Sequence, residues 1–172
     1  MMEIRQAQPG DYPAIYQHVQ QAFKTAQVSD GTEQDFVEAL RKRTTFIPEL
    51  EFVAVEEGKI IGHVMLSEQE VKTEDTHTRN FLLLAPLSVD FNYRNQKIGG
   101  ALMETAFKKA VALERHAVFL VGNPDYYSRY GFSQIQAFGL KNKSTIPDQF
   151  ILGQELVHGV LADINGELEI KE

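Results

Sequence analysis

Apolar and polar positions along the chain fall into segments of two different periods. Met2 to Ala7 alternates with the two-residue period of a short strand. Pro9-Gly10-Asp11 turns the chain, and Asp11 is placed to cap a helix whose apolar positions Ile15, Val19, Ala22 and Phe23 follow helical spacing. Ser29-Asp30-Gly31 breaks that helix. Thr32, with Asp35 three residues on, makes a box-like start to a second helix that carries Phe36, Val37 and Leu40 on one face. Glu51 to Val55, then Glu56-Glu57-Gly58-Lys59, then Ile60 to Leu66 predict a β-hairpin. Asp75-Thr76-His77-Thr78 turns the chain into a central apolar run, Asn80 to Val89. A long helix is expected from Lys97 to Glu114, with Ile98, Ala101, Leu102, Thr105 and Leu113 inward. Ala117 to Val121 is wholly apolar, as a buried strand is. Pro124 opens a short helix that Gly131 ends. Strand-like pieces near Phe150 to Leu152 and Glu155 to Leu161 follow.

This order predicts a mixed α/β layered fold rather than a regular βαβ repeat. No repeat, linker or low-complexity tract interrupts it, so residues 1–172 are expected to form one domain. The glycine-bearing loop lies mid-chain and lacks the G-x-G-x-x-G spacing of doubly wound dinucleotide folds. The phosphate-loop pattern G-x-x-x-x-G-K-[ST] is missing too, which argues against a nucleotide hydrolase.

Composition narrows the field further. Apolar residues make up 43% of the chain and charged residues 24%, a balance ordinary for a water-soluble globular protein. Cysteine is absent, which removes thiolate nucleophiles, disulfides and zinc–thiolate sites. The start, Met1-Met2-Glu3-Ile4-Arg5, has no apolar leader core, and no apolar run approaches membrane-spanning length; a cytoplasmic address is expected. The net charge of −7 disfavours nonspecific nucleic-acid binding and mildly favours a cationic partner such as an amine, although solubility alone also explains it. His18, His63, His77, His116 and His158 have no metal-ligand spacing, so no metal is expected.

The most informative chemistry lies at Arg94-Asn95-Gln96-Lys97-Ile98-Gly99-Gly100-Ala101-Leu102. A strand that ends in a basic, glycine-bearing turn and passes straight into a helix offers unpaired backbone N–H groups and the positive end of the helix dipole to an anion. Gly99 and Gly100 let a phosphate approach the main chain, and Arg94 and Lys97 add cations. The same glycine pair also serves as a plain tight turn.

Two motifs carry a resemblance. Gln96-x-x-Gly99-x-Ala101 is similar to the pyrophosphate signature of the GNAT superfamily of acyl-CoA-dependent N-acyltransferases. Asn123-Pro124-Asp125-Tyr126-Tyr127-Ser128-Arg129-Tyr130-Gly131-Phe132 resembles that family's second signature. Pro86-Leu87-Ser88-Val89 resembles a bacterial subgroup of predicted N-acetyltransferases, and the element order matches over residues 3–161. The resemblance implies a mostly antiparallel central sheet with a V-shaped splay between the strands at 81–89 and 117–121, flanked by helices. It implies acetyl-CoA as co-substrate and a small-molecule or peptide amine as acceptor. The diphosphate would lie at Arg94, Gln96, Lys97, Ile98, Gly99, Gly100 and Ala101. The pantetheine arm and acyl oxygen would meet Leu87, Ser88 and Val89, with Asn123 on the arm and also available as a helix cap.

Tyr127, four residues before Gly131, is where the family has its general acid; its alternative is packing, the role expected of Tyr126 and Tyr130. A general base is less distinct. His63, on the strand before the central run, is the candidate if it faces the cleft. Asp90, Glu68 and Glu70 are alternatives, a water chain is another, and Glu33 and Asp30 would hold a cationic acceptor or merely cap a helix. A non-catalytic acyl-CoA-binding module on the same fold is the alternative function, with a plain nucleotide-binding domain behind it. The C-terminal strands are compatible with a homodimer that extends a sheet.

Overall fold

Glu57 and Gly58 both adopt positive φ, 51° and 78°, the geometry that folds two strands back on each other through a two-residue turn. They join β2 (Phe46–Glu56) to β3 (Lys59–Lys72). The structure is a computed structural model that describes residues 2–25 and 29–171. Two compact units emerge: the chain up to Ser67 together with Ala85–Lys109, and Glu68–Leu84 together with Ala110 onward.

In the first unit, β1 (Glu3–Gln6) pairs antiparallel with β2, and β2 with β3. β4 (Thr78–Val89) lies beside β3, and Asp90 N–H donates to the Ile61 carbonyl where β4 ends. β2 is longer than its apolar pattern predicts. Pro48, which cannot donate to a ladder, sits in the register break between Phe46 and Glu51 and hides the strand's start. α1 (Tyr12–Phe23) and α2 (Glu33–Arg41) cover one face, where Ile15, Val19, Val37, Leu40, Val53 and Met65 form a core.

Capping differs from expectation. The Asp11 carboxylate does not bond to α1; it accepts from Gln8 N–H at 2.8 Å and pairs with Arg5 at 2.7 Å. Thr32 makes no side-chain cap either. Asp30 accepts from Thr32 N–H, and Ser29 Oγ donates to Glu33, so the first turn of α2 is held from one step further upstream.

α3 (Ile98–Ala112) presents Ile98, Leu102, Met103, Ala106 and Ala110 as its buried stripe, in place of the expected Thr105 and Leu113, which are half-buried. A Cβ added at Gly62 would meet Leu102 Cδ1 at 2.9 Å and Ile98 Cγ2 at 3.2 Å, so α3 sits directly on the β3 backbone.

In the second unit, β8 (Ile151–Glu155) pairs antiparallel with both β5 (Ala117–Val121) and β6 (Ser133–Gln134). β5 runs parallel to β4 through Leu82↔Val118 and Leu83↔Phe119; that ladder is two residues long, and β4 enters the first unit at Ala85. β9 (Glu167–Leu168) pairs antiparallel with β3, and β7 (Lys141–Asn142) parallel with β9. α4 (Pro124–Tyr127) follows β5. The sheet is open and mostly antiparallel, as expected. The predicted strand from Glu155 to Leu161 is not one: beyond Glu155 the chain bends and turns, and the Glu155 carboxylate accepts from Leu161 N–H at 2.8 Å. Among the described residues, no helix is long and apolar enough to cross a membrane.

The Gly62 contact makes the seating of α3 testable. Gly62→Ala should force Leu102 and Ile98 outward and lower stability by about 1–3 kcal/mol, the usual cost of overpacking. Urea denaturation reads this as a lower midpoint with an unchanged slope; an unchanged midpoint would mean that α3 does not rest on Gly62.

Candidate active site

The anion loop is built by backbone conformation more than by side chains. Asn95 and Lys97 both have positive φ, 66° and 63°, and swing the chain from the end of β4 into α3. The first bond of the α3 ladder is Ala101 N–H to Lys97 carbonyl at 3.1 Å. The N–H groups of Ile98, Gly99 and Gly100 precede it and so have no intrahelical carbonyl to meet. Gln96 and Lys97 carry exposed side chains beside them, and Ile98 is buried against the sheet. This arrangement suits a diphosphate bound by main chain.

Arg94 departs from its expected role. Its guanidinium donates to the Ala22 carbonyl at 2.9 Å and to the Val89 carbonyl at 3.4 Å, and lies 5.3 Å from the centre of the Phe91 ring. Arg94 ties the end of α1 to the end of β4 rather than reaching out as a phosphate ligand.

At the end of β4, Leu87 and Val89 are half-buried and Ser88 is buried. The Ala85–Pro86 peptide is cis. Ser88 Oγ lies 3.1 Å from His18 Nε2 on α1. Sequence reasoning missed His18, because a lone histidine among helical apolar positions carries no signature. Burial, followed by the field of His63, pushes the His18 imidazole down to about 4, against the opposing pull of Asp90.

His63 is fully buried, not turned into open space as a base in direct contact with an acceptor requires. Its Nε2 lies 2.7 Å from the Glu51 carboxylate, which also accepts from Arg41 Nη2 at 2.6 Å and Arg41 Nε at 3.1 Å. Arg41 in turn packs over the Tyr12 ring at 3.7 Å. Burial would raise the Glu51 carboxyl, but the bonds from His63 and Arg41 outweigh it and hold the group below its ordinary value. Glu51 and Arg41 also escaped sequence reasoning, since an acid on an alternating strand reads as an outward residue.

The other candidate acids are occupied. Asp90 accepts from Asn92 N–H and pairs with Lys59 at 3.3 Å. Glu68 pairs with Arg115 at 2.7 Å, and Glu70 is exposed. Asp30 and Glu33 hold the start of α2, the capping role already noted. Among the described residues no cluster of His, Cys, Asp and Glu could hold a metal ion.

In the second unit, Asn123 caps α4 by accepting from Asp125 N–H at 2.9 Å. The Tyr127 ring stands edge-on to Tyr126 and Phe132, at 4.9 and 5.7 Å between centres. Burial pushes its phenol up to about 12. Gly122 makes the space: a Cβ there would lie 2.5 Å from Tyr127 Cε2. Gly131 ends the turn at φ 94°, where Gln154 Nε2 donates to the Tyr130 carbonyl. Neither Gly122 nor Gln154 was foreseen.

Residues 3–135 match the acetyltransferase (GNAT) domain family, and the chain belongs to it. It is 28% identical to the uncharacterised N-acetyltransferase YhbS of Escherichia coli K12, across 99% of this chain and 97% of that protein. It is 33% identical to the uncharacterised N-acetyltransferase YjhQ of the same organism, over 58% of this chain and 55% of that one. The crystal structure of Escherichia coli YhbS with CoA matches at TM-score 0.85 and 26% identity, over 99% of this chain and 90% of that one. A GNAT family acetyltransferase from Brucella melitensis, solved with acetyl-CoA, matches at TM-score 0.70 and 28% identity, over 77% of this chain and 83% of that one.

The tie made by Arg94 is the testable element of this geometry. Arg94→Ala should cost about 1–3 kcal/mol, because hydrogen bonds from a charged donor are lost along with their packing. Arg94→Lys should recover less than half of it, since an ammonium cannot span two carbonyls as a planar fork does. Chemical denaturation measures both, and an Arg94→Ala protein as stable as the parent would show that the tie is not formed in solution.

Proposed function

We propose that the chain is an acetyl-CoA-dependent N-acetyltransferase that acetylates a primary amine by direct attack, with no acyl-enzyme. The observation that carries this reading is the start of α3. Three backbone N–H groups, from Ile98, Gly99 and Gly100, precede the helical ladder at the residues of the Gln96-x-x-Gly99-x-Ala101 motif. Acetyl-CoA supplies the activated thioester. Gln96 to Ala101 would hold its diphosphate, with Lys97 adding exposed positive charge. The backbone of Leu87, Ser88 and Val89 would align the pantetheine arm and the acyl oxygen, and Asn123 would offer its amide N–H group to the same arm while its oxygen caps α4. The two CoA-bound relatives support this assignment.

Tyr127 is the proposed acid for the departing thiolate. Its raised pKa keeps the phenol protonated at neutral pH, so it always has a proton to give. His63 is the proposed destination of the amine proton, acting through other groups because it is buried. The chain's acidity suits a cationic acceptor, either a small molecule or a peptide amine.

The reading is tested by thiol release from acetyl-CoA with a panel of amines, next to calorimetric titration with CoA alone. Turnover on at least one amine is expected. Binding without any turnover would favour a non-catalytic acyl-CoA module, and no binding would remove both. Gly99→Val should weaken CoA binding about tenfold or more by blocking approach to the main chain. Because Gly99 is buried, a melting curve on the same preparation separates steric exclusion from unfolding. Tyr127→Phe keeps the ring and removes the donor; turnover should fall roughly ten- to a thousandfold with CoA affinity nearly constant. Full activity in the Phe variant would take Tyr127 out of the mechanism.

A further inference from the structure

The end of β4 is fastened to α1 at two adjacent residues. Ser88 Oγ and His18 Nε2 are hydrogen-bonded at 3.1 Å. Arg94 donates from Nε to the Val89 carbonyl at 3.4 Å and from Nη2 to the Ala22 carbonyl at 2.9 Å. His18 and Ala22 lie about one helical turn apart in α1. The contacts therefore close a ring: from Ser88 to His18, along one turn of α1 to Ala22, across Arg94 to Val89, and back through a single peptide bond. One attachment would leave the strand end free to swing about it. Two attachments at neighbouring residues fix both the place and the tilt of the Ser88–Val89 peptide.

That peptide needs such support. β4 shares a ladder with β5 only at Leu82 and Leu83, and beyond them it is held on the β3 side, where Asp90 N–H donates to the Ile61 carbonyl at 2.8 Å. The residue types also point to geometry rather than stability. The other buried apolar positions of α1 are Ile15, Val19 and Ala22, yet His18 and Ser88 are polar at 7% and 6% exposure. An apolar pair of the same shape would be about as stable, because a buried hydrogen bond largely offsets the desolvation of its own two partners. What a polar pair adds is direction. Burial pushes the His18 imidazole down to about 4, so at neutral pH the ring is uncharged and the bond joins two neutral groups.

We propose that His18 is a positioning residue for acyl transfer: through Ser88, and together with Arg94, it fixes the strand end whose backbone aligns the acyl oxygen. The proposal rests on the acetyltransferase reading, which brings the acyl group to Leu87, Ser88 and Val89. Backbone donors stabilise a developing oxyanion only from hydrogen-bond distance, and a misplacement of about 1 Å can cost about a hundredfold in rate. The diphosphate contacts of the same reading lie at the start of α3, so CoA affinity is expected to survive loss of the His18 bond. His18 acts through Ser88 and touches neither the thioester nor the acceptor.

The test uses the full chain with an amine from the panel. His18→Leu removes the bond and keeps most of the volume, whereas the amide of His18→Gln reaches about as far as Nε2 and can keep the bond. His18→Leu should lower kcat about tenfold or more, with Kd for CoA within about twofold of the parent. His18→Gln should turn over several-fold faster than His18→Leu. Ser88→Ala should match His18→Leu, and the double variant should be no worse than the poorer single one, since all three lose the same bond. Rates are taken per folded molecule, from melting curves on the same preparations. Were His18 only filling space, His18→Leu would shift the melting midpoint and leave kcat at the parental value, and that result overturns the proposal. Equal kcat in the Leu and Gln variants overturns it as well, as do losses that add in the double variant. Should His18→Leu not fold, His18→Asn, polar but too short to reach Ser88, replaces it in the same comparison. Failure of the acetyltransferase reading looks different: the parent itself would bind CoA and release no thiol with any amine, and that overturns both.

Discussion

A carboxylate that is 1% exposed must find its counter-charge inside the protein, and Glu51 dictates much of the first unit by doing so. Its two oxygens draw Arg41 at the end of α2 and His63 on the neighbouring strand into fixed positions. Arg41 then lies flat on Tyr12 at the start of α1, so both helices are referenced to one residue of β2. Removing either Glu51 or Arg41 would strand a buried charge, a loss of about 3–5 kcal/mol in comparable cases, whereas the intact pair is worth far less. The arrangement specifies geometry more than it adds stability. The apolar core of Ile15, Val19, Val37, Leu40, Val53 and Met65 supplies the driving force, and Glu51 sets the orientation of what packs there.

The loop that leads into α3 obeys a different constraint. Its donors are main-chain N–H groups, so their positions depend on φ and ψ at Asn95 and Lys97 and on how α3 seats against Gly62. Arg94 contributes by fixing the ends of α1 and β4 through two carbonyls. A cation in a basic loop before a helix start invites assignment as an anion ligand. Here the same residue acts as a brace, and the positive potential at the loop comes from the helix start and Lys97.

The sequence disclosed what depends on local pattern. The strand at 117–121, the hairpin turn at Glu57-Gly58 and the helix beginning at Ile98 all follow from periodicity and turn chemistry among near neighbours. Asn123 was legible as the cap of α4 because it directly precedes Pro124, and Gly131 as the end of the turn that follows. What stayed hidden depends on partners distant in sequence. His18 meets Ser88 across 70 positions, and Arg94 meets Ala22 across 72. Gly122 looks like a strand-end glycine until the Tyr127 ring is seen to fill the space its missing Cβ leaves. The strand expected from Glu155 to Leu161 does not form: Glu155 is the last residue of β8, and its carboxylate accepts from the Leu161 amide across a turn that alternation cannot reveal.

One physical cause acts in opposite directions on two groups. Burial disfavours charge, so it pushes the Tyr127 phenol up to about 12 and the His18 imidazole down to about 4. At neutral pH both are therefore uncharged. For a phenol, neutrality means that the proton is present; for an imidazole, it means that a lone pair is present. Desolvation, which needs no dedicated charge to enforce it, thus leaves Tyr127 its proton and His18 a lone pair. Groups whose environments drive their pKa values apart are how acid and base roles divide within a protein.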